Sequence, residues 1–208
     1  MAILSARKLE SVVWGGLVIV FLALLAVFVV VPLRSKTLPV LGSMAEFALK
    51  DQNDQNVTLA SLRGSVWISD VIFTRCAGQC PVMSSHMEQI QDSLPAGSPV
   101  KLVSFTTDPD FDTPAVLKNY AARFGAHEGQ WIFLTGSKTA LRDAAARGLK
   151  LSVLDKPPGE RDNQDDLFIH SQKLVVIDRE GQIRGYFDGE TAEGASQALA
   201  AAKTLARP

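Results

Sequence analysis

Apolar positions in this chain form one continuous block, followed by a long alternation of short hydrophobic runs and helical stripes. Between residues 12 and 31 nothing is charged, Val, Leu, Ile and Phe dominate, and Trp14 stands near one end, where an interfacial aromatic belongs. About 20 such residues at ~1.5 Å rise match a ~30 Å hydrocarbon core, so the pattern predicts a transmembrane anchor over 12–31 behind a short segment 1–11. A cleaved signal peptide would carry an apolar region of about 7–15 residues ending in small side chains. This block is longer and continues into Val-Val-Val-Pro-Leu-Arg. Residues 32–43 hold Pro, Ser, Thr and Gly without amphipathic period and read as a tether, leaving 44–208 for a domain.

Within that domain, residues 47–49 and 57–59 flank the polar turn DQNDQN and predict a hairpin. Residues 66–73 make an apolar strand. Pro81 suits a first helical turn, and Met83, Met87, Ile90 and Leu94 recur behind it at helical spacing. After a second strand over 100–105, Thr113 or Asp112 can cap a helix that opens at Pro114, buries Leu117, Tyr120, Ala121 and Phe124, and stops at Gly125. Residues 131–134 read as a third strand, and Ser137 caps a helix to about Arg147. An irregular acidic segment over 155–166 precedes a hairpin of 173–177 and 183–187, and an Ala-rich helix over 191–206 follows. Crossover helices followed by a terminal hairpin imply an α/β fold, a mixed sheet covered on both faces in a thioredoxin-like arrangement.

Composition removes one class of function. With 21 basic against 22 acidic residues there is no electrostatic footprint for nucleic acid. Charge does not orient the anchor, because Arg7 and Lys8 before it are matched by Arg34 and Lys36 after it. No internal repeat is present, and the GSKT at Gly136 lacks the upstream glycine of a phosphate loop, so it reads as a helix start.

The chemistry concentrates in CAGQCP, which holds both cysteines, Cys76 and Cys80, between a strand and a helix. Three intervening residues put the thiols one turn apart if the segment coils, within reach of one soft metal ion or of each other. A closed zinc site would need two more ligands, yet the nearest histidine, His86, lies on the following helix and no second Cys pair exists. A low-coordinate copper or redox site is better supplied, set against the bland alternative of two cysteines filling core volume. At a helix start, unpaired N–H groups and the dipole favour thiolate. Ordinary thioredoxins place a cis-proline just before the terminal hairpin. Here that place is taken by His170, in Phe-Ile-His-Ser-Gln, so two thiolates and an imidazole become available to Cu(I) or a tetragonal Cu(II). Met83 and Met87 fit a core stripe better than a thioether site, and His86 and His127 read as surface residues. Turn formation accounts for Asp108 and helix capping for Asp112, so neither these nor Asp110 is taken as a metal ligand. Asp162, Asp165 and Asp166 read as a solvated loop, with docking of a basic partner as the alternative.

The stretches LKDQNDQNVTLASLRGSVWISDVIFTRCAGQCP, TTDPDFDTPAVLKNYAARFGA, WIFLTGS and IHSQKLVVIDREGQIRGYFDG closely resemble the Sco/SenC family, in order and over nearly all the domain. The resemblance implies a membrane-anchored copper metallochaperone, not an enzyme, that assists assembly of the binuclear copper centre of cytochrome c oxidase. It implies copper as Cu(I) or Cu(II), with ligands at Cys76, Cys80 and His170, and a redox disulfide between the two cysteines. The implied partners are the copper-site subunit of the oxidase and other copper chaperones or thiol reductants. The implied location is the bacterial cytoplasmic membrane, single-pass, with the C-terminal domain on the periplasmic side. The alternative is a thiol–disulfide oxidoreductase that reduces the oxidase copper-site cysteines. One departure stands out: the family usually has Pro and an acidic residue between the cysteines, whereas Ala77, Gly78 and Gln79 make this loop more flexible and less negative.

Overall fold

A computed structural model describes residues 13–25, 38–155, 157, 159 and 168–207, with 153–155 and 168–170 described by backbone alone. The chain divides into two units, Met1–Leu38 and Pro39–Pro208. In the first, residues 13–25 form helix α1, with Trp14, Ile19 and Phe21 among its exposed side chains. Among the described residues no helix is long and apolar enough to cross a membrane, and the remainder of the expected 12–31 span lies outside them.

The second unit is built on a six-stranded sheet. Its order is β1 (Gly42–Ser43), β10 (Gln182–Asp188), β9 (Lys173–Ile177), β4 (Val66–Ile72), β5 (Val100–Thr106), β6 (Trp131–Leu134). β4, β5 and β6 run parallel, and β9 runs antiparallel to β4. β4 is VWISDVI and is buried along its whole length, as a central strand covered on two faces must be. Helices α3 (Gln79–Asp92), α4 (Pro114–Arg123) and α6 (Ala192–Leu205) bury Met83, Met87, Leu117, Tyr120 and Ala198. Opposite them lies a core of Phe47, Leu49, Trp67, Phe105, Leu134, Leu141, Leu149 and Ile177, covered by α2 (Leu59–Leu62), α5 (Lys138–Asp143) and the hairpin β2 (Ala48–Lys50) and β3 (Asn56–Thr58). This is the mixed, doubly covered, thioredoxin-like sheet that the sequence predicts.

Three helices begin at hydroxyl caps, two of which, at 113 and 137, are read as caps from the sequence, while 191 is read as the first helical residue. Thr113, Ser137 and Thr191 accept from Val116, Ala140 and Gly194 N–H respectively. The helix begun at Ser137 departs from expectation at its end, where residues Ala144–Leu149 widen into a π-helical turn. A further pair of short antiparallel strands, β7 (Val153–Asp155) and β8 (Phe168–His170), flanks the segment read as irregular. Gly42–Ser43, within the stretch read as tether, pairs with Gln182 and Ile183 as the edge strand β1. At the other edge, Gln52 from the hairpin turn donates to Trp131 C=O at 3.2 Å and accepts from Phe133 N–H at 2.9 Å. That side chain covers the open hydrogen-bonding edge of β6.

Candidate metal centre

β4 ends at Ile72, and the chain turns at once. Cys76 N–H donates to Phe73 C=O at 3.2 Å, closing a four-residue turn that presents Cys76 half-buried. The chain bends through Ala77 and Gly78, and α3 begins at Gln79 without a side-chain cap. Cys80 therefore lies in the first helical turn, fully buried, on the same face as Met83, Ser84 and Met87. Cys76 stands outside the helix, so the thiols are not brought together by one turn of helix as the spacing suggests. The β-turn and bend fold the Cys76 sulfur back over Gly78, where an added Cβ would stand 4.0 Å from Sγ. Both cysteines are reduced, and their thiols are hydrogen-bonded to each other.

The helix start is expected to favour thiolate, but the local environment reverses this at Cys80. The hydrogen bond to Cys76 pushes the Cys80 thiol strongly up, followed by burial and by the charge on Cys76, and the Phe73 backbone only partly opposes them. Asp70, fully buried on β4, adds to the upward push on Cys80 and on Tyr120. Burial is the main cause raising the Tyr120 phenol, whose oxygen lies 2.9 Å from Ser84 Oγ. The buried Cys80 thiol, Asp70 carboxyl and Tyr120 phenol thus lie close enough to act on one another's ionisation.

On the outer side, Arg75 binds Asp108 Oδ2 through Nε at 3.2 Å and Nη2 at 2.6 Å, with its guanidinium 4.4 Å from the Phe111 ring centroid. Asp112 is not the cap of α4, since Thr113 holds that role; its buried carboxylate instead accepts from Thr74 N–H at 3.1 Å and from the hydroxyls of Thr74 and Thr106. Asp110 is exposed. Met83 and Met87 are fully buried core residues, as the stripe predicts. His127 is exposed, but His86 is half-buried, with Nδ1 2.8 Å from Gly189 O.

His170 ends β8, paired with Val153, three positions before β9 begins. Because β9 runs antiparallel to β4, the chain preceding β9 lies at the sheet end where β4 delivers the cysteine turn. The His170 side chain lies outside the described residues, as do Asp162, Asp165 and Asp166. Among the described residues no three His, Cys, Asp or Glu side chains converge on one point, so the visible donor set is the two thiols.

A parallel βαβ unit with paired thiols at its crossover helix has counterparts among known proteins. The SCO1/SenC family model matches residues 39–207. The chain belongs to the SCO1/SenC family. The SCO1 protein homolog of Bacillus subtilis is 35% identical over 145 residues, covering 69% of this chain and 72% of that one. The structure of BsSco, a member of the Sco family of cytochrome c oxidase assembly proteins with a disulfide switch, superposes with a TM-score of 0.70 at 29% identity, covering 83% of this chain and 98% of that one. Yeast Sco1 with copper bound superposes at 0.62 and 26% identity, covering 80% and 90%.

Proposed function

We propose that this protein is a membrane-anchored copper metallochaperone for assembly of the binuclear copper centre of cytochrome c oxidase. The observation that carries the reading is the contact between the Cys76 and Cys80 thiols at the start of α3, in a chain of a family with a copper-bound member. Two soft sulfurs suit Cu(I), and His170 is the third ligand assigned from sequence. Copper is the cargo. Uptake displaces the thiol protons, and release proceeds as partner thiols or imidazoles replace Cys76, Cys80 and His170 one at a time. The 12–31 block supplies the anchor, with the domain on the periplasmic side of the bacterial inner membrane.

The test is copper content and affinity. One copper ion per chain is expected, with strong weakening in Cys76→Ser, Cys80→Ser and His170→Ala and none in Met83→Leu. Unchanged Cu(I) affinity in His170→Ala would remove His170 from the ligand set. Protease added to spheroplasts should digest the domain from outside, and protection until lysis would invert the topology.

The thiol contact also favours a second reading, a thiol–disulfide oxidoreductase. In that reading Cys76, the more exposed thiol, attacks a disulfide of the oxidase copper site, and Cys80 then resolves the mixed disulfide. Two electrons and two protons pass to the partner. Such a reductase requires both cysteines but not His170. Full oxidase activity at limiting copper in a His170→Ala strain, alongside loss in Cys76→Ser, would make this the better account.

A further inference from the structure

The turn that presents Cys76 is held by a segment distant in sequence. With Phe73 C=O bonded to Cys76 N–H, Thr74 and Arg75 are the two central residues of a β-turn. Both are gripped by the stretch after β5: Asp112 takes the Thr74 amide and hydroxyl, while Asp108 and Phe111 hold the Arg75 guanidinium. Asp112 is completely buried, and its third bond, from the Thr106 hydroxyl, ties the knot to the last residue of β5. A carboxylate in such a place is costly unless fully bonded, and capping of α4 does not explain it, because Thr113 does that.

We propose that Asp112 is a positioning residue for the thiol pair: it fixes the Phe73–Cys76 turn against β5 and so keeps the Cys76 sulfur within reach of Cys80. Two properties follow from the same effective concentration of one sulfur at the other, the stability of the Cys76–Cys80 disulfide and the grip of the dithiol on Cu(I). The second rests on the metallochaperone reading above. The first does not.

The experiment compares Asp112→Asn and Thr74→Val with Asp178→Asn, all in the full chain. Asp178 is also buried and is ion-paired with Arg184 at 2.7 Å, but in the turn after β9, at the opposite end of the sheet from Cys76. The readouts are thermal midpoint, Cu(I) affinity in competition with bicinchoninate, and the equilibrium in which dithiothreitol passes two electrons and two protons to the disulfide. Asp112→Asn and Thr74→Val should each move that equilibrium about tenfold toward the dithiol, a potential about 30 mV less negative. Each should also weaken Cu(I) binding about tenfold. Asp178→Asn should lower the thermal midpoint and leave both constants within about twofold. If Asp112→Asn fails to fold, Thr74→Val, which deletes one hydroxyl donor, carries the test alone. Folded variants with the parent redox equilibrium, or an equal shift in Asp178→Asn, would overturn the proposal. A parent chain that binds no copper while Thr74→Val still shifts the equilibrium refutes the chaperone reading and supports the positioning role.

Discussion

At the scale of single residues, the two sulfurs of CAGQCP are placed unequally. Cys76 is half-buried on a turn and Cys80 is sealed in the first turn of α3, so the two thiols of one pair meet solvent unequally. The Cys80 thiol, pushed far above its ordinary value by Cys76 and by burial, keeps its proton throughout the neutral range, and metal must displace it. Apparent Cu(I) affinity should therefore rise at least about tenfold per pH unit between about pH 6 and about pH 8. Chelator competition at several pH values checks this, and a flat profile would mean that Cys80 is already ionised in the metal-free protein. Sequence places both sulfurs at the entry of α3, as the fold does, but does not give their inequality. The dipole at a helix start is a local property, whereas the upward push that outweighs it comes first from the fold-back of Cys76 onto Cys80 and then from burial in the folded chain.

At the scale of elements, legibility followed the range of the signal. Hydroxyl residues at 113, 137 and 191 marked helix starts because a cap satisfies N–H groups two or three positions away. Asp112 was misread as a candidate cap because its partner Thr74 lies 38 positions upstream. β7 and β8 are three residues each, too short to show alternation, and the π-helical turn has no compositional mark. Another element-level constraint is invisible in sequence. A Cβ on Gly194 would overlap Asp188 O and stand 2.8 Å from Asp188 N and C, so the first turn of α6 sits directly on the β10 backbone. Backbone cannot rotate away as a side chain can. Gly194→Ala should cost about 1–3 kcal/mol or more and lower the thermal midpoint by several degrees, whereas Gln197→Ala, on the exposed side of α6, should leave it unchanged.

For the whole molecule, alkaline pH is the vulnerable direction. Cys80, Tyr120 and Tyr186 all titrate higher in the fold than their ordinary values of 9.0, 10.0 and 10.0. The folded chain thus retains protons that the unfolded chain gives up. Their contribution is complete below about pH 9 and is lost as pH rises through the folded values. The denaturation midpoint of the dithiol form should fall above about pH 9, with a smaller fall in Cys80→Ser. An equal fall in both would assign the effect to the phenols. The sheet also fixes a distance. β1 joins β10 at Gln182 and Ile183, level with Ile177 and hence with Trp67 near the start of β4, while Cys76 lies beyond its far end. A seven-residue strand at ~3.3 Å per residue separates those levels by about 20 Å. The edge pairing of Gly42–Ser43 therefore ties this part of the chain down about one strand length from the thiols, with the sheet as a rigid spacer between that tie and the point of exchange.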